Sequence, residues 1–228
     1  MTHSIDRLGV MRSLILAAVA LLLAACSLEY RASVPPVEDE VVVQAVSTAQ
    51  AAYDHPVRLS EQDLTNILKS VRVQFTTHWL QRLLTGPVQP VPLFDGPTLA
   101  KVVPAMAAAM GKAGTRERTV FYVAKRRGPD RRDVTTGSLF VKDMLLTIVL
   151  VNYQNRVDVI PGLPAYDQTH PEMAVAPQRF ALVFDSPEYV VAQERGLVAQ
   201  VLGADPPALT LDYTRFLRLA SLLPGLSL

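Results

Sequence analysis

The stretch "TVFYVAKRRGPDRRDVTTGSLFVKDMLLTIVLVNY", residues 119–153, decides the architecture. Thr119 to Lys125 is rich in β-formers, Val134 to Val141 is β-branched and aromatic, and Met144 to Tyr153 is almost wholly apolar. The links Arg127-Gly128-Pro129-Asp130 and Lys142-Asp143 are too short for a parallel crossover, so the three runs predict an antiparallel meander. The third run does not alternate, which places it in the sheet centre or covers it on both faces.

Working upstream, Asp95-Gly96-Pro97 opens a helix with Asp as N-cap and Pro in the first turn. Leu99, Val102, Val103, Met106, Met110 and Ala113 share one side of it, Gly114 is the expected C-cap, and Pro104 should kink it or mark a late start. Ser60-Glu61-Gln62-Asp63 reads as a second N-cap, followed by Leu64, Ile67 and Leu68 on one face. Val71, Val73 and Phe75 then alternate with Arg72, Gln74 and Thr76, the period of a half-exposed strand. An apolar stripe through Trp79-Leu80 and Leu83-Leu84 stops at Gly86-Pro87.

Downstream, a long proline-broken connection runs from Asp158 to Gln178. A strand at Arg179 to Phe184, a helix from Pro187 to Leu202, a strand at Ala208 to Asp212 and a helix from Tyr213 to Leu223 follow. The expected class is α+β, an antiparallel sheet with helices packed on it, in a single domain over residues 58–228.

The chain has 228 residues, half of them hydrophobic, with 22 Lys and Arg against 21 Asp and Glu. A formal charge of +1 excludes a dedicated nucleic-acid binder, which carries a strong basic excess. One cysteine, Cys26, excludes an intrachain disulfide and any multi-Cys metal site.

At the N-terminus Arg7 and Arg12 precede an apolar run from Leu14 to Ala25. That run is shorter than the roughly 20 residues of a spanning helix and suits a signal-peptide core. Leu23-Ala24-Ala25-Cys26 resembles the lipobox of bacterial lipoproteins. The resemblance covers about the first 27 residues. It implies cleavage before Cys26, a diacylglyceryl group on its thiol, acylation of the new amino group and attachment to a lipid bilayer. More than one acyl chain makes such an anchor stable. Ser27, rather than Asp, follows the cysteine, which by the family's sorting tendency implies the outer membrane with the domain facing the periplasm. Translation from Met1 or from Met11 leaves an adequate signal. Removing residues 1–25 takes away Arg7, Arg12 and Asp6, and the mature chain is then neutral. Residues 26–57 read as the lipidated cysteine and a flexible tether spanning roughly 30 Å, within which Val41 to Ala52 is either a helix or an added strand.

Lys125, Arg126, Arg127, Arg131 and Arg132 flank the turn at Gly128-Pro129. They are either a solvated hairpin tip, whose cations block edge pairing, or a contact for anionic lipid, acidic glycan or an acidic protein surface. Catalytic signals are few. There is no Gly-x-Ser-x-Gly elbow, and the sole thiol is committed to lipid. His55, His78 and His170 lack zinc spacing. His170-Pro171-Glu172 reads as a polar loop, His78-Trp79 as core edge, and Asn152-Tyr153-Gln154-Asn155 as strand-end turn chemistry or a ligand rim. No catalytic residue, metal or cofactor is expected.

Three readings follow. The first is a non-enzymatic envelope lipoprotein with an accessory or assembly role beside a protein partner. The second is a module holding an apolar or lipidic ligand against Trp79, Met106, Met110 and Ile148. The third is an envelope hydrolase using His78 or His170. The C-terminal segment around Phe216-Leu217 packs on the sheet or lies on a membrane as an interfacial helix.

Overall fold

A computed structural model describes residues 39–48, 52–76, 86, 88–158, 173–191 and 206–222. In chain order they form β1 (Glu40–Ser47), α1 (Glu61–Lys69), β2 (Val71–Phe75), β3 (Val91–Pro92), α2 (Gly96–Lys112) and β4 (Glu117–Arg126). Then come β5 (Arg131–Lys142), β6 (Leu145–Asp158), β7 (Phe180–Phe184), a 3-10 turn (Pro187–Tyr189), β8 (Ala208–Leu211) and α3 (Tyr213–Leu222). Two antiparallel sheets result, a five-stranded one in the order β1-β4-β5-β6-β8 and a three-stranded one in the order β3-β2-β7. The class is α+β, and β4-β5-β6 is the meander.

β1 settles one alternative and corrects a boundary. Val41 to Val46 form an added strand paired with β4 from Glu40↔Ala124 to Ser47↔Glu117. The folded domain therefore begins at about residue 40, not 58. β-branched valines at 41, 42 and 43 supply the reason, since they fit a pleated surface better than a solvated tether.

Strand register separates the two faces of the larger sheet. Val41, Val43, Phe121, Val123, Leu139, Val141, Leu146, Ile148 and Leu150 point to one side and meet α2. There Leu99, Val102, Val103, Met106 and Met110 are buried, and Leu64, Ile67 and Leu68 of α1 extend the core. Each such fully buried aliphatic side chain contributes about 1.5–3 kcal/mol relative to exposure. The opposite face holds a smaller cluster of Tyr122, Ala124 and Val134 with small polar residues, including Thr136, Ser138, Thr147 and Thr210. β6 is thus buried on both sides, as its unbroken apolar run requires.

Ser60 caps α1 by accepting from the Asp63 N–H at 3.0 Å. Asp95 caps α2 by accepting from the Thr98 N–H at 3.0 Å. α2 starts at Gly96 and runs through Pro104, so the proline marks no late start. The intrahelical bond it removes falls on the exposed Ala100, where water can replace it. Ala113, not Gly114, is the C-cap, and Gly114 donates its N–H to Glu117 Oε2 at 2.8 Å.

The β5–β6 link turns at Asp143 and Met144, one residue later than expected, with φ of 53° and 62°. That left-handed pair is the geometry of a tight hairpin turn matched to strand twist. β6 continues past Tyr153 through a bulge that gives Gln154 a φ of 47°. β7 pairs with β2, giving a second sheet that the sequence did not signal. In place of a helix from Pro187, the 3-10 turn ends in a bridge from Val190 to Leu211, and residues 192–202 lie outside the described residues. α3 packs on the domain: Phe216 is buried, with its ring centroid 5.1 Å from that of Phe184 and 5.5 Å from that of Tyr189. No helix among the described residues is long and apolar enough to cross a membrane.

Candidate functional site

The five cations at the β4–β5 tip do not form one patch. In-register pairing puts Lys125 opposite Asp133 on the core-side face, whereas Arg126 and Arg132 face each other on the opposite side. Alternation along a strand produces this split. Carboxylates from distant segments then meet the cations. Lys125 Nζ lies 2.6 Å from Asp95 Oδ2, Arg132 Nη1 lies 3.2 Å from Glu40 Oε2, and Arg127 pairs with Asp133 at 2.5 Å. Arg131 lies 3.7 Å from Asp158, with both side chains more than half exposed. The Arg126 guanidinium donates to the Gly128 carbonyl at 2.9 Å, and its backbone N–H to Asp39 Oδ1 at 3.1 Å. A polyanion arriving here would meet as many carboxylates as cations. The arrangement suits a solvated tip or a contact with a mixed-charge protein surface better than a phosphate grip.

Beside Lys125 is a cleft of about 200 Å³ lined by residues from the β3–α2 connection and from β4, β5 and β6, among them Phe94, Asp95, Thr135, Tyr153 and Gln154. Its polar groups bind one another. Asp95 accepts from the Thr98 N–H, the Thr98 hydroxyl and Lys125. The Tyr153 hydroxyl donates to the Pro92 carbonyl at 2.9 Å and accepts from Gln154 Nε2 at 3.1 Å. Burial, and secondarily the Asp95 charge, push the Tyr153 phenol above its usual range. This is a self-satisfied polar pocket that can admit a small molecule at its edge but presents no activated nucleophile or base.

The Lys125 ammonium, and then the Thr98 hydroxyl, hold the Asp95 carboxyl down to about 2. A depressed acid stabilises the fold fully above its unfolded value, near 4, and loses that contribution as pH falls toward 2. Asp95→Asn keeps a competent N-cap and removes the charge, so its stability deficit against the wild type should vanish between pH 4 and pH 2. Asp95→Ala also removes the cap and should cost about 1 kcal/mol more than Asp95→Asn at neutral pH. Urea denaturation across this pH range checks both.

Other expected positions are dispersed. Met106, Met110 and Ile148 are completely buried in the contiguous core. Trp79, His78 and His170, and the lipobox residues Leu23, Ala24, Ala25 and Cys26, lie outside the described residues. Asn152 and Asn155 join a buried hydrogen-bond network in mid-strand rather than at a strand end, whereas Tyr153 and the exposed Gln154 line the cleft beside Lys125. Among the described residues no group of three or more His, Cys, Asp or Glu side chains is placed to hold a metal ion. His55, read from the sequence only as a histidine without zinc spacing, lies buried. Its only signal was a lone histidine inside a presumed tether.

Comparison with known proteins finds no matching family model, no similar curated protein and no similar solved structure.

Proposed function

We propose that the protein is a lipoprotein anchored through acylated Cys26, with its α+β domain facing the periplasm, serving a non-enzymatic accessory or assembly role in the cell envelope. Leu23-Ala24-Ala25-Cys26 behind a short apolar run carries the reading. Support also comes from the placement of the only cysteine at the one position where lipid chemistry uses it. The charge-balanced sheet end fits a protein partner better than nucleic acid, and it leaves anionic lipid or glycan as a weaker contact.

Cys26→Ser should move the protein from the membrane fraction to the soluble fraction and abolish incorporation of an alkyne-tagged fatty acid, with the domain still folded. Full retention of the variant in salt-washed membranes would overturn the anchor. Density separation of the wild type should place it with the outer membrane, as Ser27 implies.

A further inference from the structure

Residues 53–57, which precede α1, cross one end of the five-stranded sheet as a strap. The Tyr53 N–H donates to the Thr115 carbonyl at 2.7 Å, the Asp54 N–H to Val141 at 2.8 Å and the Val57 N–H to Met110 at 3.1 Å. Asp54 Oδ2 in turn accepts from the Met144 N–H at 2.9 Å, which ties the strap to the β5–β6 turn. Tyr53 packs on Phe140 with ring centroids 4.8 Å apart.

In the middle of the strap sits His55, with 3% of its surface exposed. Neither ring nitrogen has a hydrogen-bond partner of acceptable geometry. Buried polar atoms are nearly always paired, and an unpaired one calls for an explanation. The neutral ring tolerates this site at the cost of a lost bond. An imidazolium would need acceptors for two N–H groups, and the acceptors nearest the ring each already take one backbone N–H. The Met110 carbonyl takes the Val57 N–H, Asp54 takes the Met144 N–H, and Glu117 takes the Gly114 N–H.

We propose that His55 is a proton-operated latch: the strap over residues 53–57 docks with a neutral imidazole and detaches when the ring is protonated. Detachment uncovers the C-terminal end of α2, Phe140 and the β5–β6 turn, and leaves the five-stranded sheet in register. Desolvation is the main influence on the ring and lowers its pKa. The Met110 carbonyl and the Asp54 and Glu117 charges oppose it with smaller effect. Tyr213 of α3, raised by burial and by Asp54, stays neutral throughout this range. A base whose docked pKa is depressed binds more protons when released. Docking is therefore fully favoured above the free value, near 6.5, and weakens as pH falls below it, by up to tenfold per pH unit.

Residue-resolved amide exchange of the full chain in detergent, referenced to random-coil rates at each pH, tests this between pH 7.5 and 5. Protection of the Tyr53, Asp54 and Val57 amides should fall by up to tenfold per unit below pH 6.5, while that of Leu150 in β6 holds. In His55→Phe, which keeps the ring shape, and in His55→Gln, which keeps a polar group, the strap protection should not vary with pH. Constant protection in the wild type overturns the latch. So does equal pH dependence in whichever variant folds, or a parallel loss at Leu150, which would make the transition global.

Discussion

Gly137→Ala should destabilise the domain by about 3 kcal/mol, the upper end of what overpacking costs, and a mutation at no exposed position should match it. A methyl group at residue 137 would lie 2.1 Å from the Val149 carbonyl oxygen and 2.7 Å from the Phe121 ring. The ring belongs to a side chain with no solvent exposure, wedged against Phe94 with centroids 5.6 Å apart. The carbonyl belongs to the neighbouring strand at the point where the β5–β6 register shifts. Either contact alone could be relieved, the ring by rotation and the strand by slippage. Relieving both means moving the largest of the fully buried side chains and breaking the ladder that holds the sheet together. Phe121→Leu tests which contact dominates. If the ring were the whole problem, the smaller side chain would rescue Gly137→Ala. Because the backbone contact is the closer one, the double variant should remain at least as unstable as Gly137→Ala alone by urea denaturation.

Much of this fold is readable where the physics is local. The period of two in β2, the Ser60 and Asp95 caps and the short links of the meander each depend on residues within one turn of each other. β1 was obscured because its partner lies almost 80 residues away, and valines in a row do not say what they will pair with. The second sheet has the same origin, since β2 pairs with β7 at Arg72↔Val183 and Arg72 binds Asp185, just past β7 and 113 residues away. The basic tip is the instructive case. Its division between two faces follows from strand alternation and was accessible from the sequence. Its neutralisation was not, because Glu40 and Asp95 come from 92 and 30 residues away. A cluster of like charges in sequence is therefore weak evidence for a site until the opposing strands are known. The burial of His55 was hidden for a related reason: burial of a lone histidine is a property of the tertiary fold, and nothing in its neighbours announces it.

Asn152→Leu should cost a similar amount, about 3 kcal/mol, and its effect should be concentrated where residues 173–178 meet β6. The Asn152 amide donates to the Thr136 hydroxyl at 2.8 Å and to the Met173 carbonyl at 2.9 Å. Its oxygen accepts from the Val175 N–H at 2.8 Å and from Asn155 at 3.3 Å. One completely buried side chain thereby joins two strands of the sheet to a segment that has no ladder of its own there. Leucine fills a similar volume but leaves the Thr136 hydroxyl and the Val175 N–H without these partners, and an orphaned buried group costs more than the bond it lost. Gln178 provides the contrast. It clamps the Tyr153 backbone by accepting at 2.9 Å and donating at 2.8 Å, and among the described residues its side chain bonds Tyr153 alone. Gln178→Ala should therefore cost less than half as much. Amide exchange discriminates between a local and a distributed role. If Asn152 pins the segment, Val175 should lose protection in Asn152→Leu well before Ile148 does. If both amides respond together, the asparagine is part of the sheet's own cooperative core, and the bulges on either side of it serve packing rather than attachment of the segment.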